Sequence, residues 1–359
     1  MPVAPVDKSG VELFFEDTGA PGDGSYQTIV IIHGTGIHGA IFHPILQYAK
    51  PLNLRVVLVN RRDYRGSTAL SNDELDLLRP PNTTPETQAA FLRARGLEVA
   101  EFLAWFARTE RIPSIEQGGG LSVVGWSSAN GLLLAMFANL DAVPQETLEA
   151  VEPYLHTFIH FDGPRWTLGY AWLDCFPRRF ANTLHMSEDE RFDAFKEWVA
   201  PYYAHPYLTT SSYNRDPSTD LTTDIATNPA PEKVSTFDRM TREEQESVSA
   251  RFALFGSEGL VRNVLPGVWK RNMRKALFGE GLEEMQWKRV KVVFLQCSES
   301  LWETTSAMWE VEEVYENKQR DGDTRGRKMQ FHLMKEANHM PMWDQPERLT
   351  KLLAECVQS

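Results

Sequence analysis

Seven apolar, mostly β-branched runs punctuate the chain: VELFFED (11–17), TIVIIHG (28–34), RVVLVN (55–60), LSVVGW (121–126), HTFIHFD (156–162), VKVVFLQ (290–296) and MQFHLMK (329–335). Runs of this length and composition read as strands. The middle ones are apolar on successive residues rather than alternate ones, which predicts strands buried on both faces. Between them, apolar residues recur at three- and four-residue spacing over 88–109, 128–140 and 344–356, predicting helices, with Asp344 placed as the N-cap of the last. Strands and helices alternating in this way predict an α/β fold, a largely parallel sheet covered by helices on both faces.

The alternation breaks between about 166 and 285. That stretch opens rich in Trp, Tyr and Phe, turns polar over 208–233, and resumes a helical pattern in EEQESVSARFALFG. It predicts an inserted helical cap at 166–285, with a core built from 1–165 and 286–359. No repeat of roughly 20 to 50 residues is visible, which argues against solenoids and propellers.

Composition changes this picture little. The 359 residues are 42% hydrophobic and 24% charged, enough for one large core. A net charge of −12 gives no electrostatic support for binding nucleic acid or an anionic membrane. Three widely spaced cysteines, Cys175, Cys297 and Cys356, make neither a disulfide framework nor a zinc knuckle. The opening stretch lacks a signal-peptide pattern, and no run of about 18 apolar residues occurs, so the expected location is the cytoplasm. The expected partner is a small molecule, with a homodimer left open.

The chemistry concentrates at two strand ends. In Gly125-Trp126-Ser127-Ser128-Ala129 a serine stands between small residues, at the end of one predicted strand and the start of a helix. A nucleophile elbow needs this context, because a strained serine backbone requires Gly125 and Ala129 to let strand and helix approach. A plain helix-capping serine would not need both. The earlier strand ends in His33-Gly34-Thr35-Gly36, where glycines let the backbone aim an N–H at a developing oxyanion. The Thr35 and Ser128 amides are the candidate donors. His33 reads as a prop of that loop rather than a base. Neither His38 and His43 nor His156 and His160 are joined by further ligands, so no metal is expected. Asp63 precedes the serine in chain order, which is wrong for the acid, and its arginine neighbours suggest an ion-pair network bracing the loop; arginines 61, 62 and 65 read as solvated structural charges rather than an anion site.

Taken together, IVIIHGTG, RVVLVNRRDYRGST, LSVVGWSSANG and ANHMPMWDQPERL, in this order, resemble the successive signatures of the α/β-hydrolase fold superfamily. GWSSAN, FDGPRWTLGY and ANHMPMWDQPE are similar to fungal serine α/β-hydrolases of biosynthetic clusters. The resemblance covers about 1–165 and 288–359. It implies that His339 is the base that activates Ser127, in a loop after the last strand, on the same sheet edge as the elbow. The acid should follow the serine in chain order. The superfamily more often keeps an Asp after the strand 290–296, where this chain has Cys297-Ser298-Glu299-Ser300. That departure favours Asp162, at the end of the preceding strand, with Glu299 as the alternative and Glu303 behind it.

These residues imply a carboxylic ester or lactone hydrolase that needs no cofactor and acts on a moderately apolar molecule, of the polyketide type among others. Trp126, Trp166, Tyr170 and Trp172 are placed as pocket walls, although most cap aromatics should fill the cap's own core. The same constellation serves C–C bond hydrolysis, acyl transfer and cyclisation. A catalytically silent binding protein on the same fold is the reading from another class.

Overall fold

The computed structural model describes residues 2–22, 24–178, 185–210, 214–225 and 230–358. Residues 179–184, 211–213 and 226–229 lie outside the described residues. Eight strands form one sheet: β1 (Val3–Pro5), β2 (Glu12–Asp17), β3 (Gln27–Ile32), β4 (Leu54–Val59), β5 (Gly120–Trp126), β6 (Leu155–Phe161), β7 (Lys291–Cys297) and β8 (Met329–Met334). Their spatial order is β1-β2-β4-β3-β5-β6-β7-β8. β1 pairs antiparallel with β2 and β2 with β4, while every pairing from β4 through β8 is parallel. This is the α/β-hydrolase architecture.

The doubly apolar strands are explained by what covers them. In β3, Val30 and Ile32 face one core together with Phe102, Phe106 and Leu134, from the helices Pro85–Glu110 and Ala129–Ala138. Ile29 and Ile31 face the other, with Ile45 and Leu353 from His43–Ala49 and Pro346–Gln358. Each strand residue therefore buries apolar area whichever way it points.

All seven runs are strands; β1, three residues long, is too short to register as a pattern. The helix expected from 88 begins at Pro85, because Thr84 and Thr87 cap each other reciprocally. Asp344 is not the N-cap of the last helix: its carboxylate accepts from Tyr202 Oη at 2.8 Å and Thr236 Oγ1 at 2.7 Å, and the helix starts at Pro346. Between β6 and β7 the described residues add helices and no strand to the sheet. One of these helices, Pro266–Phe278, lies on the layer that covers the sheet, with Met273, Ala276 and Leu277 in the same core as Leu134. The three cysteines are free. Among the described residues no helix is long and apolar enough to cross a membrane.

Candidate active site

β5 ends at Trp126, the helix begins at Ala129, and Ser127 between them has φ of 56°. A serine pays strain in this left-handed region, and the neighbours hold it there. Its N–H donates to the Phe161 carbonyl of β6 at 2.9 Å. The Asn130 side-chain amide donates to the carbonyls of Ser127 (2.9 Å) and Phe161 (3.1 Å). A Cβ on Gly125 would stand 2.7 Å from Asn130 Oδ1 and 2.9 Å from Leu133, so only glycine lets the helix come this close. Ala129 is fully buried. The helix takes Ser128 as N-cap without a side-chain capping bond, so neither serine is there to cap.

The loop after β3 rests against the same hydroxyl. A Cβ on Gly34 would lie 2.8 Å from Ser127 Cβ and 3.3 Å from its Oγ. The backbone N–H groups of Thr35 and Ser128 make no hydrogen bond within the described residues. Two unengaged amides beside a half-buried hydroxyl can receive an anionic oxygen.

His339 lies next to the elbow. The Trp126 indole donates to the His339 carbonyl at 3.0 Å, and the two rings are 5.0 Å apart at their centroids. Nδ1 of His339 donates to Asp162 Oδ2 at 2.5 Å, with both side chains buried. The Asp162 carboxylate also accepts from Ser300 Oγ at 2.5 Å and from the Cys297 N–H at 3.0 Å. Asp162 itself has φ of 46°, and its N–H donates to Leu295 of β7 at 2.8 Å. The opposite imidazole nitrogen, Nε2, is buried and has no hydrogen-bond partner among the described residues. A carboxylate on one nitrogen fixes the tautomer and leaves the other as an acceptor.

The alternative acids do not join this group. Glu299 instead pairs with Lys233 at 2.6 Å, from the segment between β6 and β7. Glu303 is fully buried, has neither oxygen hydrogen-bonded among the described residues, and lies 3.9 Å from Arg262. Burial raises its pKa. His33 is a prop: Nδ1 donates to Gly34 O at 2.9 Å and Nε2 accepts the Arg61 N–H at 3.1 Å. Burial, then the charge of Arg61, holds its pKa well below the usual histidine range.

An ion-pair network does brace this loop, with acidic partners drawn from distant parts of the chain. Glu258, from the helix Ser257–Arg262 between β6 and β7, accepts from Arg61 (2.6 Å), Tyr64 Oη (2.8 Å) and Thr35 Oγ1 (2.8 Å). Arg61 also holds the Gly34 carbonyl at 2.6 Å. Arg61 and Arg62 are thus not solvated charges. Arg62 is buried against Glu74 and Glu98, and Asp63 instead accepts the Leu70 N–H at 2.6 Å. Only Arg65 of the three is exposed.

Of the aromatic residues placed as pocket walls, Trp166 does line a cavity of 220 Å³ beside Thr35, with Phe195, Leu254 and Phe255. Trp126 does not, because it is buried beneath the elbow. Nor do Tyr170 and Trp172: the first lies against Arg165, and the second packs edge-on against Trp302 and bonds Phe176 O. Among the described residues no cluster of three His, Cys, Asp or Glu side chains could hold a metal.

No family model and no curated protein matches the chain. Solved structures do. An epoxide hydrolase mutant from Vigna radiata superposes with a TM-score of 0.55 at 10% identity, covering 99% of this chain and 98% of that one. A thermophilic esterase from Thermogutta terrifontis gives 0.52 at 14% identity, over 99% and 97%. A bromoperoxidase from Bacillus anthracis gives 0.52 at 10% identity, over 100% and 99%. At such identities the likeness establishes the fold.

Proposed function

We propose that this protein is a serine hydrolase that cleaves a carboxylic ester or lactone bond of a moderately apolar small molecule through an acyl-enzyme. One observation carries the reading: a buried His339–Asp162 pair at 2.5 Å, its outer nitrogen unpartnered, in which Asp162 directly follows the Phe161 whose carbonyl holds the N–H of a serine at positive φ. Ser127 Oγ attacks the carbonyl carbon as His339 Nε2 takes its proton. Asp162 stabilises the imidazolium, and the Thr35 and Ser128 amides receive the oxyanion. The imidazolium returns the proton to the departing alkoxide. Water, deprotonated by the same nitrogen, then attacks the acyl carbonyl and releases Ser127. A hydroxyl at the elbow forms an acyl ester, in contrast to the alkyl ester that a carboxylate nucleophile would form with an epoxide.

The test is covalent labelling with a fluorophosphonate, which phosphonylates an activated serine. Stoichiometric labelling of the unmodified protein, abolished in Ser127→Ala, is the expected result. No labelling of folded protein would overturn the reading and favour a binding protein on this fold.

A further inference from the structure

The cavity beside the oxyanion loop carries more positive charge than its surroundings account for. Its walls are Thr35, Trp166, Phe195, Leu254 and Phe255, together with Arg191, Arg262 and Glu258. Glu258 is already matched by Arg61 and two hydroxyls. Arg262 faces Glu303 at 3.9 Å and lies over the Trp198 ring. Arg191 differs. Its guanidinium stacks on Phe255 at 4.5 Å, its Nε is buried without a hydrogen-bond partner, and no carboxylate pairs with it among the described residues. On its own helix, Glu188–Val199, Asp189 is engaged by Arg251 and Glu190 by the Ser187 cap, and Glu188, one turn before Arg191, makes no ion pair with it.

A half-buried guanidinium with an orphaned N–H costs stability unless a ligand completes it. Its planar fork matches a carboxylate, and apolar walls strengthen the attraction by excluding water. In a chain of net charge −12, anions are repelled in general, so a local cationic pocket selects rather than merely attracts.

We infer that Arg191 is a specificity residue that binds a carboxylate on the substrate, so that the preferred ligand is an ester or lactone whose apolar body carries a second, anionic end. The inference rests on the serine hydrolase reading for the bond that is cleaved, but not for the recognition itself. It is therefore tested by binding, in Ser127→Ala protein, with 4-nitrophenyl hydrogen glutarate and the neutral 4-nitrophenyl pentanoate as calorimetric ligands. The monoanion should bind about tenfold more tightly, and the difference should shrink as salt rises from about 0.05 to 0.5 M. Arg191→Met keeps the stacking bulk and should erase the preference, while Arg191→Lys should retain part of it. Equal affinities in the parent, failure of both ligands to bind, or a full preference surviving in Arg191→Met would overturn the assignment. Fluorophosphonate labelling is read separately: lost labelling with an intact preference removes the nucleophile alone, and the converse removes Arg191 alone.

Discussion

The indole N–H of Trp126 donates to the backbone carbonyl of His339 at 3.0 Å, so the residue before the elbow serine fixes the loop that carries the imidazole. Trp126→Phe keeps the apolar bulk and deletes the donor. Leaving a buried carbonyl unmatched should cost about 1–3 kcal/mol in urea unfolding. Misplacing the imidazole should lower kcat on an activated aryl ester about tenfold, with KM little changed. A loss of stability with kcat intact would show that the imidazole keeps its place without the indole.

Asp162 and Glu299 should separate cleanly. Asp162→Asn removes the charge from the 2.5 Å contact with His339 and should lower kcat by about 10⁴. Glu299→Gln touches only the pairing with Lys233 and should leave turnover within about twofold, since such pairs at a partly exposed lysine contribute little. Comparable, mild effects would remove Asp162 from the mechanism.

How much of this the chain discloses depends on whether a contact is local. The elbow is local: small residues, one serine and flanking apolar runs lie within a dozen positions, and the structure shows the positive φ that they imply. Asp162 was reachable because its strand end and the Gly163-Pro164 exit are also local. Ser300, which donates to the same carboxylate, carries no local mark, since nothing near it in sequence indicates a carboxylate 138 positions away. The helix Trp302–Arg320 was hidden for another reason. Its first turns bury Glu303, Thr304, Thr305 and Ser306, so the apolar period that marks a helix is missing. Gln296 satisfies two of these hydroxyls from the strand, at 2.8 and 3.2 Å. Glu258 and Arg191 leave equally little local mark, since Glu258 acts on residues nearly two hundred or more positions away and Arg191 on one 64 positions away.

Glu258 tests whether the segment between β6 and β7 supports the chemistry. Glu258→Gln preserves shape but leaves the Arg61 charge without its partner, loosening the loop that carries the Thr35 amide. The fluorophosphonate labelling rate should fall about tenfold, less than for direct loss of an oxyanion donor. An unchanged rate would mean that the loop holds its conformation unaided.

Buried histidines set the response to acid. Burial lowers His38, His156 and His205 to about 4 and His160 to about 3, from an ordinary 6.5. Between these values the unfolded chain binds protons that the folded one refuses. Stability is therefore fully present above pH 6.5 and is lost as the pH falls toward 4. Melting temperature should drop steadily across that window, and His156→Gln should reduce the slope. A flat profile from pH 7 to 4 would contradict the burial of these rings.

Ser127 and Asp162 are each tied by their own N–H to the next strand, Ser127 to Phe161 and Asp162 to Leu295. The sheet thus serves as a ruler: the gap between the two residues is inherited from ladder spacing of about 4.8 Å rather than set by any loop. Wall residues that lie between β6 and β7, such as Arg191, Phe195 and Phe255, can therefore vary and change what the molecule admits without resetting that spacing.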